Sequence, residues 1–208
     1  MLLHHLPGFV PFLFPHYVWH KSRKEREIYL TFDDGPVPGV TDFVLDELEK
    51  RQMKANFFMV GDNVVKHPEL ALKVKRQGHQ IGNHTHNHLD GFSCPTEEYI
   101  VNVKRCQSAI RAALGIDPHL FRAPYGRLKR EQRKDISQTH QVIMWDVIPG
   151  DYDPQQSSSL CLSKAKQYTK NGSIILFHDQ EKTARVLSEI LPDFLDFIQS
   201  EGYRTNLL

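Results

Sequence analysis

Cysteine is scarce in this 208-residue chain. Cys94, Cys106 and Cys161 are odd in number and lack metal-ligand spacing, which argues against a disulfide framework. An excess of charge is also missing. Lys and Arg total 26 against 25 Asp and Glu, so nothing points to nucleic acid or an anionic membrane surface as partner. No apolar run is long enough to span a bilayer. The N-terminus, Met1 to Gly8, has no charged leader and no Ala-x-Ala site, and Pro7, Pro11 and Pro15 interrupt the segment after Leu6. These absences exclude a signal peptide and a membrane span, and make a cytoplasmic location the default expectation. An interfacial anchor would need a regular amphipathic helix, which the prolines forbid. Residues 1–27 are therefore expected to be a covering segment, with Phe9, Phe12, Phe14 and Trp19 capping one end of the domain. Linkers, repeats and low-complexity tracts are absent too, so residues 28–208 read as one domain.

What is present centres on Ile28-Tyr29-Leu30-Thr31-Phe32-Asp33-Asp34-Gly35-Pro36. β-Branched and aromatic residues predict a buried strand, and Gly35-Pro36 stops it. Two adjacent acids at the end of an apolar strand are costly to bury unless something pairs with them. A metal ion would do so, leaving the other carboxylate free as a base.

The rest of the chain alternates. Helices are expected from Thr41 to Gln52, Pro68 to Gly78, Thr96 to Leu114, Lys129 to Thr139, Leu160 to Tyr168 and Thr183 to Ser200, the last kinked or restarted at Pro192. Strands are expected at Ala55 to Val60, His79 to Gly82, Gln141 to Trp145, Ser173 to Phe177 and Tyr203 to Leu207, with Leu120-Phe121 leading into Arg122. Such alternation predicts a mostly parallel sheet in an α/β fold. In a closed parallel barrel, catalytic residues collect at the C-terminal strand ends. Five such ends carry polar clusters here: Asp33-Asp34, His84 to His88, Arg122 to Gly126, Asp146 to Asp153, and His178.

Asp34, His84 and His88 can form a metal site with a position open for water. His84 and His88, at i and i+4, would share one face of a helical turn. On an extended strand, His86 would be the partner instead; Asn87 and Asp90 favour a turn. Adjacent side chains diverge, so only one of Asp33 and Asp34 need face the metal. Arg122 can hold Asp33 ionised. His178 is a candidate general acid, with Asp151 as partner for its ring. The Tyr125 amide can help stabilise an oxyanion.

Thr31-Phe32-Asp33-Asp34-Gly35-Pro36, His84-Thr85-His86-Asn87-His88, Arg122-Ala123-Pro124-Tyr125-Gly126 and Ile174-Ile175-Leu176-Phe177-His178, in this order, closely resemble the motifs of the polysaccharide deacetylases, the NodB-homology domain of carbohydrate esterase family four. The resemblance runs from about Ile28 to the C-terminus. It implies a distorted (β/α)7 barrel and a divalent metal, usually Zn2+ with Co2+, Mn2+ or Ni2+ as alternatives. It implies Asp34, His84 and His88 as ligands, Asp33 as base, His178 as acid, and an acetylated carbohydrate as substrate. One motif departs: Asp151 matches its second acid, but Ile148 replaces the first and Tyr152 the usual Trp beside the acetyl pocket. Asp146 or Asp153 is the expected source of the missing charge. An O-acetyl carbohydrate esterase and a catalytically silent carbohydrate-binding barrel are the alternative readings.

Overall fold

The computed structural model describes residues 3–208. In chain order the elements are α1 (Val10–Leu13), β1 (Glu27–Asp33), α2 (Val40–Lys50), β2 (Asn56–Met59), α3 (Gly61–Lys66), α4 (Pro68–Arg76), β3 (Gln80–Asn83), α5 (Thr96–Leu114), β4 (Leu120–Phe121), α6 (Arg130–Ile136), β5 (Gln141–Val142), α7 (Ser158–Tyr168), β6 (Ile174–His178), α8 (Ala184–Ser200) and β7 (Arg204–Thr205). The strands pair in parallel in the order β5-β4-β3-β2-β1-β6, and β7 joins the start of β1. The sheet curls into a distorted barrel with helices packed outside, as the alternation of elements requires.

Period-2 alternation along β1 sorts its side chains. Ile28, Leu30 and Phe32 join the large cluster shared with the helices, whereas Tyr29 joins a smaller one with Phe58, Leu120, Ile143 and Ile174. Thr31 and Asp33, in phase with Tyr29, meet Arg122. Phe32 stacks on Phe57 at 5.2 Å and on Phe177 at 5.8 Å, and Phe177 meets Phe194 of α8 at 5.4 Å. Burying each such ring stabilises the fold by about 1.5–3 kcal/mol. The stack therefore locks together β1 and β6, the two strands that end on Asp33 and His178.

The ring does not close by a regular ladder. Between β5 and β6 the structure has isolated bridges: Val147 with Ile175, and, from the N-terminal segment, His5 with Val147, Val18 with Ile143 and His20 with Ser173. Leu6 N–H donates to the Asp146 carbonyl (2.9 Å), and Ile148 N–H donates to the His4 carbonyl (3.0 Å). The segment lies across this gap. Its aromatics do not all cap an end as expected: Phe9, Phe12 and Phe14 are exposed, and Phe12 is 85% accessible.

Three further elements differ from expectation. The strand expected to reach Trp145 ends at Val142. Met144 N–H bonds to the Val18 carbonyl (2.8 Å), so the chain there leaves β4 for the N-terminal segment. Right after the expected strand Ala55 to Val60, Gly61 opens α3, a helix that was not expected. A Cβ on Gly61 would lie 2.8 Å from Cys106 Cα, so glycine permits α3 to pack directly on α5. Pro192 sits inside one uninterrupted helix α8. The carbonyl it leaves without a donor, four residues back, belongs to exposed Ser188, where water can serve it.

Candidate metal centre

Alternation should send Asp34 to the opposite face from Asp33. It does not, because Asp34 adopts φ 84°, in the left-handed region. The chain turns there, and both carboxylates reach the same place: His84 Nε2 lies 3.4 Å from Asp34 Oδ1 and 3.7 Å from Asp33 Oδ2. The expectation that the neighbouring side chains diverge is corrected by this one dihedral angle. Asn63 donates to the Asp34 carbonyl (2.7 Å) and Gln180 donates to Asp34 Oδ2 (2.6 Å), which fixes the carboxylate.

His84 and His88 come together without the helical turn expected of them. Residues 84–90 form an irregular loop, with Thr85 at φ 64° and His88 at φ 57°. The Thr85 hydroxyl accepts from Leu89 N–H (3.0 Å), folding the loop back so that the two rings lie 5.2 Å apart. His84 Nδ1 bonds to the Arg122 carbonyl (2.8 Å), which leaves Nε2 for the site. His88 Nε2 is 3.0 Å from Asp34 Oδ1. His86 is turned away: its buried Nδ1 faces Gly61, and it does not belong to the group.

One donor atom from each of Asp34, His84 and His88 lies within 4.8 Å of the others, close enough to hold a metal ion. Asp34 Oδ1 is buried and makes no hydrogen bond of good geometry, although two imidazoles face it. A buried carboxylate oxygen left in this state is what a cation would satisfy. Burial would raise this carboxyl, but contacts from His84 and His88 and the charge of His178 hold it well below the usual range.

Arg122 is fully buried at the end of β4. It donates to Asp33 Oδ1 (2.7 Å), Thr31 Oγ1 (2.8 Å) and the carbonyls of Met144 (2.8 Å) and Ile143 (3.3 Å). Its guanidinium also lies over the Phe58 ring at 4.1 Å. At the end of β6, Asp151 takes both polar handles of His178, accepting from the backbone N–H (2.7 Å) and pairing with Nδ1 (3.1 Å). Burial depresses the His178 ring, but Asp151, Asp34 and Asp33 outweigh it and push its pKa up to about 9. Tyr125 sits at φ 59° in a tight turn, its ring edge-on to His88 at 4.7 Å. The turn's own bonds run from Gly126 N–H to Ala123 and from Arg127 N–H to Pro124, leaving the Tyr125 amide outside them.

Asp33, Asp34, His84, His88, Tyr125 and His178 line a cavity of about 630 Å³ together with Trp145, Ile148, Tyr152, Leu176, Arg127 and Lys182, with Arg122 and Asp151 behind them. The Tyr152 ring is edge-on to His178 at 5.2 Å. Neither Asp146 nor Asp153 lines the cavity. Asp146 instead binds Arg23 (2.6 Å) and Ile174 N–H (2.8 Å), and Asp153 accepts from Gln155 N–H (2.9 Å). The charge expected from them is not supplied, and Ile148 leaves that wall apolar.

Sequence reasoning missed Trp145, Gln180 and Asp179. Trp145 was expected only as the last residue of a strand, and that strand stops at Val142. Asp179 is buried beneath the Asp34 turn. It accepts from Gly35 N–H (3.1 Å) and pairs with the Thr41 hydroxyl (2.6 Å). Thr41 Oγ1 in turn accepts from Val37 N–H (2.8 Å), so one buried carboxyl ties both sides of the loop after β1. Burial, opposed by the Thr41 bond and reinforced by Asp34, raises its pKa to about 8.

Fold and site together define an α/β barrel with an Asp-His-His group at its strand ends that could hold a metal ion. The polysaccharide deacetylase family model matches residues 20–143. The chain belongs to the polysaccharide deacetylase family. It is similar to the peptidoglycan-N-acetylglucosamine deacetylase PgdA of Listeria monocytogenes, with 31% identity over 183 residues, 88% of this chain and 38% of that protein. A peptidoglycan-N-acetylglucosamine deacetylase of Bacillus cereus is 32% identical over 89% of this chain and 88% of its own length. The crystal structure of the Bc1960 peptidoglycan N-acetylglucosamine deacetylase superposes with a TM-score of 0.85, at 26% identity, covering 98% of this chain and 95% of the other. The chain thus spans well under half the length of the Listeria relative. Among the described residues no helix is long and apolar enough to cross a membrane.

Proposed function

We propose that this chain is a metal-dependent hydrolase that removes the acetyl group from an N-acetylated sugar of a polysaccharide or oligosaccharide. The reading rests on Asp34 Oδ1, a buried carboxylate oxygen facing two imidazoles and lacking a well-formed bond. A divalent cation held by Asp34, His84 and His88 would act as a Lewis acid and make water a better nucleophile near neutral pH. The N,N,O donor set suits Zn2+, with Co2+, Mn2+ and Ni2+ as the alternatives.

The chain's own residues do the rest. Asp33, held in place by Arg122, takes a proton from the attacking water as its oxygen bonds to the acetyl carbon. The Tyr125 amide donates to the carbonyl oxygen as negative charge builds there. His178 gives its proton to the sugar nitrogen as the carbon–nitrogen bond breaks, and acetate and a free amine leave. Asp151 orients the His178 ring and keeps it protonated until then. Trp145, Ile148, Leu176 and Tyr152 form the wall against which the acetyl methyl packs.

Acetate release from chitooligosaccharides, peptidoglycan fragments and acetylxylan by the zinc-loaded protein tests this reading. Release from the first two supports N-deacetylation. Release from acetylxylan alone assigns an O-acetyl esterase, and release from none makes the barrel a binding module.

A further inference from the structure

The balanced total charge hides a segregation. No Asp or Glu occurs before Glu25, and this acid-free stretch contains Phe9, Phe12, Leu13 and Phe14, all exposed. Large apolar side chains crowded at one projecting turn are unusual on a protein surface and mark a contact site.

The turn is built on an amphipathic base. The Trp19 indole N–H donates to the Phe14 carbonyl (3.0 Å), and Tyr17 lies against both Phe14 (6.5 Å) and Trp19 (5.6 Å). Tyr17 packs in turn on the cluster holding Leu128, Ile136 and Val142, to which α6 contributes Ile136. The other side of α6 and its lead-in carries Lys129, Arg130, Arg133 and Lys134 against Glu131 and Asp135. Among the described residues Arg130, Arg133 and Lys134 enter no ion pair, while Arg127 and Arg111 are both paired. Arg133 is near enough to the Tyr17 hydroxyl to act on it electrostatically.

We propose that the Phe9–Phe14 turn and the free cations of α6 form a surface that docks this protein on an anionic phospholipid bilayer. The layers match in order: apolar tips, then Tyr17 and Trp19, then unpaired Arg and Lys. A leaflet presents hydrocarbon, an interface that favours amphipathic aromatics, and anionic headgroups in the same sequence. Four backbone N–H groups of the turn are paired within it. Val10 N–H bonds to Pro7, Phe12 and Leu13 N–H bond to Phe9, and Phe14 N–H bonds to Val10. Pro7, Pro11 and Pro15 have no N–H to satisfy. The prolines that rule out a long amphipathic helix thus favour a compact inserted turn.

Co-sedimentation of the full chain with phosphatidylcholine vesicles, with and without one-third phosphatidylglycerol, tests this. The wild type should pellet with the anionic vesicles and be released by salt. Phe12→Ser with Leu13→Ser should weaken partition about tenfold or more. Arg130→Gln with Arg133→Gln and Lys134→Gln should abolish the preference for anionic vesicles. Size exclusion and far-ultraviolet circular dichroism check that both variants fold. Wild type left in the supernatant, or variants that pellet equally, would overturn the proposal. So would a dimer that Phe12→Ser dissociates, which would assign the turn to a second copy of the chain.

Discussion

Arg122 Nη1 lies 2.7 Å from Asp33 Oδ1, with the two side chains 0% and 4% exposed. The pair is closed off from water, and every remaining contact of the guanidinium is to protein oxygen or an aromatic face. One carboxylate oxygen of Asp33 is thereby committed to Arg122, and Oδ2 is the one turned toward His84. Both adjacent acids face His84, and only Asp33 is also anchored by the arginine.

Breaking this pair from the arginine side leaves a buried charge without a partner. Arg122→Met should lower unfolding free energy by about 3–5 kcal/mol, read from urea denaturation. Asp33→Asn keeps the hydrogen bond and removes the base. It should retain metal while acetate release falls by about 10²–10⁴-fold. Equal activity in Asp33→Asn would remove Asp33 from the chemistry.

His178 supplies a pH signature. Its folded pKa, about 9, lies above the ordinary value of 6.5 for an exposed ring. The folded state therefore binds the extra proton between those values, and the pairing with Asp151 stabilises fully below pH 6.5 and is lost as pH rises through about 9. In chelator-treated protein, the melting temperature should fall across that window. Asp151→Asn should flatten the fall. A wild-type melting temperature that stays level from pH 6.5 to 9 would contradict the assignment.

Asp179 makes a contrast between two substitutions. With its pKa raised to about 8, the acid is neutral at pH 7 in the folded protein. Asp179→Asn, also neutral and of the same shape, should be tolerated. Asp179→Ala strands Gly35 N–H and the Thr41 hydroxyl in the interior and should cost about 1–3 kcal/mol. Gly35→Ala should fail for the same geometry, since its Cβ would collide with Asp179 Oδ2. Thermal melts of the three variants at pH 7 check the order Asn above Ala.

The strand ends were legible because alternation and turn residues are local signals. The α/β alternation, the Asp33-Asp34 corner, Arg122 and His178 could be read from hydrophobic runs that stop on polar groups. Other features are not local. The meeting of Asp34 with Asp33 depends on a left-handed dihedral that no residue preference dictates for Asp. The convergence of His84 and His88 depends on the Thr85 hydroxyl, not on helical spacing. Asp146 looks like a cavity acid in sequence, and only the return of the N-terminal segment brings Arg23 to it. Trp145 gave no polar signal and follows a strand that stops at Val142, and Gln180 carried no signal beyond its nearness to His178.

Calorimetric titration of Zn2+ into chelator-stripped wild type, Asp34→Ala and His84→Ala tests the central claim most directly. One ion should bind per wild-type chain, and both variants should lose binding. Zinc should also raise the wild-type melting temperature, by about 2.7 kcal/mol of added stability at a hundredfold excess over Kd. Wild type that binds no zinc, or variants that bind it as tightly, would contradict the assignment of Asp34 and His84 as ligands.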